Sequence, residues 1–357
     1  MPRKTVLLLA ALALIQGCVE TAPKRDSAPI FYPSLPQRPQ LQFLTSITSQ
    51  VDVGNRDAVL EAFLTDKDDS ARLSRPHYMA VRPGKLYVSD MGYGLIIIID
   101  FEKKEFRPLN AQREGILKNP EGIAVSENGY LFVADSGRNR VVVFDAEERF
   151  VRLYGSDDIF QRPVDVAVYG DRVYVCDHSA HVVHVLDRES GKPLRTIGGR
   201  GQDPGKFDFP THLRVDREGS LYVNDSFNFR IQKFDANGDY LYEFGYHSPT
   251  AGGFARPKGF DIAPDGRLYV ADAAFESVQI FTDGDQAFFL SFGNGDDEHG
   301  RMAFPSAVAI DHHNVRHFQQ HADKGFEVKY LVYVGNLLGK RKINVYGAGG
   351  WTDRASR

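Results

Sequence analysis

Asn119-Pro-Glu-Gly-Ile-Ala-Val125, Leu131-Phe-Val-Ala-Asp135, Arg140-Val-Val-Val-Phe144 and Phe150-Val-Arg-Leu-Tyr-Gly155 follow one another within a single stretch of chain. Each run is short, apolar and rich in β-branched or aromatic residues. Asn128-Gly129, Ser136-Gly137 and a polar segment after Phe144 separate them, so the stretch reads as four strands joined by turns. The same succession recurs along the chain. Pro76, Pro120, Pro163, Pro210, Pro257 and Pro305 each open a copy, at spacings of 44, 43, 47, 47 and 48 residues.

The second strand of five copies ends in Asp (Asp90, Asp135, Asp177, Asp225, Asp272), and in the sixth it ends in Asn336. Four strands per repeat cannot bury both faces of one sheet, but six such sheets stacked around an axis can. The fold class expected is all-β, a six-bladed β-propeller. The sixth copy reaches its third strand at Ile343-Asn-Val-Tyr346 and leaves no residues for a fourth. Leu41-Gln-Phe-Leu-Thr-Ser-Ile47 resembles the fourth strand of the fifth copy, Ala287-Phe-Phe-Leu-Ser-Phe-Gly293, so residues 41–48 are expected to close the last blade. A short helix is expected over residues 55–65.

Asn119-Pro-Glu-Gly-Ile-Ala-Val125 with Ala134-Asp-Ser-Gly-Arg-Asn-Arg-Val141, repeated in part by Asp225-Ser-Phe-Asn-Phe-Arg-Ile231, resembles the NHL-repeat propellers over residues 75–346. The resemblance implies the fold and leaves the activity open, because one scaffold hosts many functions.

Met1-Pro-Arg-Lys4, an apolar run over Thr5–Ile15 and then Gln16-Gly17-Cys18 resemble a bacterial lipoprotein signal. The run is too short to span a bilayer. The resemblance implies a signal peptide at 1–17, diacylation of Cys18 and, with Val19 next, the outer membrane in a host that has two. Residues 18–40 read as a Pro-rich tether, 41–350 as the propeller and 351–357 as a tail.

Composition excludes several classes. Lys and Arg number 43 against 47 Asp and Glu, so no basic excess exists to neutralise a nucleic-acid backbone. Two cysteines cannot build a disulfide framework or a four-thiolate zinc site. No Gly-x-Ser-x-Gly elbow and no phosphate-cradling glycine loop occurs.

The repeated Asp set is expected to be structural, accepting backbone N–H groups near a turn, with Arg140 and Arg230 pairing to it. Cys176 reads as a buried thiol. The residues just after each repeat proline are expected near one mouth of the central channel. His77, Glu121, Asp165, His212 and Lys258 there are the candidates for binding a ligand.

Peptidyl-hydroxyglycine amidating lyases, which this repeat pattern resembles, hold zinc through His residues that directly follow the proline in three blades. Here only His77 does so, and His212 stands one residue later. The sixth copy also carries an insertion, HHNVRHFQQHADKGFEVK, between Asp311 and Tyr330. It reads as a solvated polar loop, as a protrusion that meets a partner, or as a divalent-metal site through His313, His317 and His321 on one helical face.

The function expected is a lipid-anchored protein-binding scaffold at the cell envelope. It would have an envelope protein as partner, no nucleic acid, no catalytic residue assigned and no cofactor. The alternatives are a metal-assisted lyase or hydrolase at the channel mouth, or a small-ligand or glycan binder using Phe227, Phe229 and Phe275.

Overall fold

The computed structural model describes residues 28–54, 72–156, 158–295 and 298–352. Over these the chain is a six-bladed propeller: five sheets have four antiparallel strands and the sixth has five. Blade one shows the plan. Pro76–Arg82 is innermost, followed outward by Lys85–Asp90, Leu95–Asp100 and Glu105–Pro108. Second and third strands such as Leu86-Tyr-Val88 and Ile96-Ile-Ile-Ile99 are buried on both faces, which is why they read as unbroken apolar runs. The cores lie between blades. Phe132, Val141 and Val143 of blade two pack with Val166, Val173 and Val175 of blade three. Each such side chain contributes about 1.5–3 kcal/mol by leaving water.

The repeated Asp residues are fully buried, and they fasten each blade's entry segment. Asp135 accepts the backbone N–H groups of Lys118 (3.1 Å) and Asn119 (2.8 Å). Asp90 accepts those of Ser74 and Arg75, Asp177 those of Gln161 and Arg162, and Asp272 those of Ala255 and Arg256. Asn336 keeps one such bond, from Ala303 at 3.1 Å. Arg140 and Arg230 reach Asp135 and Asp225 at 3.3 and 2.9 Å. The set is structural, as its repetition implied.

Leu41–Ile47 pairs antiparallel with Ile343–Trp351, with Leu41 opposite Ala348 and Ile47 opposite Ile343. Strands from both ends of the chain therefore close the ring within blade six. Packed structure also begins inside the segment read as tether. Phe31–Tyr32 adds a fifth strand to that blade, with Phe31 against Trp351 and Tyr32 against Tyr346. The expected helix at 55–65, the signal segment and Cys18 lie outside the described residues.

The blade-six insertion packs down, where a protrusion was expected. It holds one helical turn, Val315–Phe318, continued by Gln319–His321. Phe318 is buried against Phe101 of blade one and Tyr333 of blade six. The Asn314 side chain accepts from Gly84 N at 2.7 Å and donates to Arg82 O at 3.0 Å, both on blade one. Arg316 hydrogen-bonds Glu102. The insertion staples blade six to blade one, across the interface where the ring closes.

Candidate functional site at the channel mouth

Each innermost strand begins at the repeat proline, so the six prolines ring one mouth of the channel. Second strands end on this face, and the loops between second and third strands stand around it. The second residue after each proline is Tyr78, Gly122, Asp165, His212, Gly259 or Ala307. The ring is narrow at this level. A Cβ on Gly122 would lie 2.1 Å from the Asp165 carboxylate, and one on Gly259 would lie 2.6 Å from Ala307. Two opposite blades carry the large side chains that fill it. Tyr78 of blade one crosses the axis and donates its hydroxyl to Thr211 O of blade four at 2.9 Å. His212 of blade four stacks on the Tyr78 ring, centroids 4.5 Å apart. Together they plug the channel.

His77 lies above the plug, edge-on to Tyr78 at 4.6 Å and 6.1 Å from His212. Burial, with the Lys258 and Arg162 charges close by, pulls the His77 imidazole down to about 4. Burial, then His77, Arg214 and Lys258, hold His212 well below the usual imidazole value. Both rings are therefore neutral at pH 7. His212 Nδ1 meets Thr211 Oγ1 at 3.0 Å, while its Nε2 is buried with no hydrogen-bond partner. Glu121 is held by Ser136 Oγ (2.6 Å) and Asn119 Nδ2 (3.2 Å), with Arg162 at 3.6 Å. Burial nonetheless raises its carboxyl. Lys258 is lowered by burial and by Arg256.

Asp165 is drawn away from the other candidates. It is fully buried in the channel wall, where it accepts Val166 N (2.9 Å) and, from the next blade, Leu213 N (3.0 Å) and Arg214 Nη1 (3.2 Å). Burial pushes its carboxyl up to about 6 against the pull of Arg214. Asp261 of blade five repeats the device, accepting Ile310 N of blade six at 2.8 Å and facing Arg214 Nε at 3.5 Å. Arg214 and Asp261 border a cavity of about 190 Å³ in the channel, otherwise lined by apolar residues of the innermost strands. Cys176 is buried beside Asp165, and burial raises its thiol well above the usual value.

The structure brings His77, His212, Glu121 and Lys258 to one mouth. It does not gather His313, His317 and His321. His313 packs at a tilt against His312, centroids 3.9 Å apart, His317 faces Phe101 and Glu102, and His321 lies near Phe318. Among the described residues no three His, Cys, Asp or Glu side chains converge as a metal site needs. The mouth does not fit a three-histidine zinc site: two imidazoles meet, a tyrosine ring lies against one of them, and two cationic side chains stand beside them. Phe227 is 61% exposed and packs on Phe209, while Phe229 lies against His247.

Sequence reasoning put Tyr78 near the mouth by position without giving it a role, and it missed Arg162. A signal was available for the second: Arg precedes the repeat proline in blades one, three and five, as Arg75, Arg162 and Arg256. All three are exposed around the mouth.

The geometry defines a six-bladed β-propeller with a plugged, basic-rimmed channel. Residues 148–248 match the family described as a 6-bladed beta-propeller, and residues 117–144 match the NHL repeat. The fold is a six-bladed propeller, and residues 117–144 carry an NHL repeat within it. It is 30% identical over 137 residues to Protein brain tumor of Drosophila melanogaster, covering 37% of this chain and 13% of that protein. It is 27% identical over 154 residues to a probable peptidyl-alpha-hydroxyglycine alpha-amidating lyase of Caenorhabditis elegans, covering 40% and 43%. The chain thus spans less than half the length of either relative. A Bacteroides thetaiotaomicron protein of unknown function superposes with a TM-score of 0.59 at 14% identity, over 86% of this chain and 75% of that one.

Proposed function

We propose that this chain is a binding module, a propeller tethered to the envelope membrane through lipidated Cys18, whose mouth-bearing face docks a protein partner. One observation carries the docking face. The loops around the mouth present Met91, Tyr93, Ile116, Phe227, Tyr246 and Leu338 as exposed large apolar side chains, with Phe227 at 61% and Leu338 at 56%. Apolar side chains on neighbouring loops, set among polar and basic residues, are the composition of an interaction surface. The basic start, apolar run and Cys18 support the anchor, and Val19 supports the outer membrane. Several acyl chains on one cysteine give the stable attachment that a single chain does not.

The test is made on the full chain in its own host membranes. Cys18→Ala is expected to release it into the soluble fraction at high salt. Met91→Asp with Phe227→Asp is expected to abolish recovery of the crosslinked partner while leaving the melting temperature unchanged. Membrane retention of Cys18→Ala contradicts the anchor, and undiminished crosslinking of the double variant contradicts the docking face.

A further inference from the structure

The groups at the mouth do not balance one another. The chain carries a net charge of −4, yet Arg75, Arg162, Arg256 and Lys258 crowd this rim. The carboxylates on this face are engaged elsewhere: Glu121 by Ser136, Asn119 and Arg162, while Asp208 faces His181 and Glu276 faces Arg301, each at 3.6 Å. Arg256 stacks over the Phe304 ring at 5.2 Å. Lys258 is partly buried beside His77 and His212, with no acidic partner among the described residues. A desolvated ammonium without a counter-charge is costly, and an anion that lies against it removes that cost.

The floor of the mouth adds a second, independent observation. His212 is 1% exposed, and its Nε2 finds no partner. Its other nitrogen is occupied by Thr211 Oγ1, which in turn meets Ser226 Oγ at 2.7 Å and Asn224 Nδ2 at 3.1 Å. When Asn224 and Ser226 donate to Thr211, the hydroxyl proton goes to His212 Nδ1 and leaves Nε2 as an N–H donor. A buried donor left unmade carries a desolvation cost that an acceptor on a ligand removes. His77 is half-buried, and its ring makes no hydrogen bond among the described residues, so none holds it over His212.

We propose that the mouth binds a small organic oxyanion, a carboxylate or phosphate group, set between Lys258 and Arg162 over the Tyr78–His212 pair, with His212 Nε2–H as its deepest donor. A cation is disfavoured by the same charges. The proposal is independent of the protein-docking reading, because its ligand needs none of the apolar loop residues.

Isothermal titration of the full chain in low salt with citrate, and separately with inorganic phosphate, tests it. At least one probe is expected to bind one to one. Affinity is expected to fall about tenfold or more in Lys258→Met, since charge-assisted hydrogen bonds are the strong ones. Citrate alone assigns a carboxylate ligand, and phosphate alone assigns a phosphoryl group. Arg217→Gln on the opposite face is expected to leave binding unchanged, and the His212 imidazole nitrogen resonances are expected to move on titration. Absence of binding by both probes overturns the proposal. So does equal affinity in Lys258→Met, or stoichiometric Zn2+ uptake with neither anion bound.

Discussion

The Tyr78 hydroxyl donates to Thr211 O across the axis of the propeller, tying blade one to blade four at 2.9 Å. Side chains from opposite blades thus meet at the mouth, and the cavity below is separated from the rim above. Tyr78→Phe keeps the ring stacked on His212 and removes only this bond. It is expected to lower unfolding stability by about 1 kcal/mol, read from urea melts with an unchanged slope. No change would mean that water satisfies Thr211 O equally well.

Ring closure by the N-terminal strand predicts a large effect from a single residue. Leu41 is fully buried and packs with Tyr346 and Val332 of blade six. Leu41→Ala is expected to cost about 2–5 kcal/mol in the same assay. Deletion through Ser49 is expected to remove the cooperative transition altogether. A truncated chain that melts as the full one does would contradict closure by this strand.

The blade-six insertion is expected to behave as a staple. Asn314→Ala leaves Gly84 N without its 2.7 Å acceptor, at a cost of about 1–3 kcal/mol. Hydrogen exchange at Gly84 is expected to accelerate, while amides of blade three stay protected. Exchange that rises evenly over all blades would indicate a global effect and no staple.

His77 at the mouth and Asp165 in the channel wall give opposite pH slopes. His77 falls from 6.5 to about 4 on folding, so between these values the unfolded chain binds more protons, and stability drops as pH falls through that window. Asp165 rises from 3.8 to about 6, so between about 6 and 3.8 the folded chain binds more protons, and stability gains as pH falls. His77→Gln is expected to flatten the acid-side loss seen in melts between pH 6.5 and 4. Asp165→Asn is expected to steepen it. Parallel curves for wild type and either variant would refute the corresponding assignment.

Much of this architecture is legible in the residues. The Pro-to-Asp repeat fixes six blades because each strand is short and its turns are marked by glycine and Asx residues. The missing fourth strand of blade six points to Leu41–Ile47, which the register bears out. The mouth was legible only by position. The residue two places after each proline is easy to find, but the pattern does not say that Tyr78 crosses the axis while Asp165 turns into the wall to meet Leu213 N. Asp165 occupies the space that Gly122 leaves, where a Cβ would meet its carboxylate at 2.1 Å. The insertion looked polar when its histidines were counted. Val315 and Phe318, one helical turn apart, were the sign that it has an apolar side to bury.

The central claim is that the mouth-bearing face docks a protein. A photo-crosslinking residue placed at Phe227 on that face, or at Leu194 on the outer edge of blade three, tests it in the lipidated chain in its own membranes. Both sites are well exposed, at 61% and 56%, so accessibility alone does not separate them. The result expected is one discrete adduct from position 227 and none from position 194. Equal labelling from both positions, or no adduct from position 227, would contradict the claim.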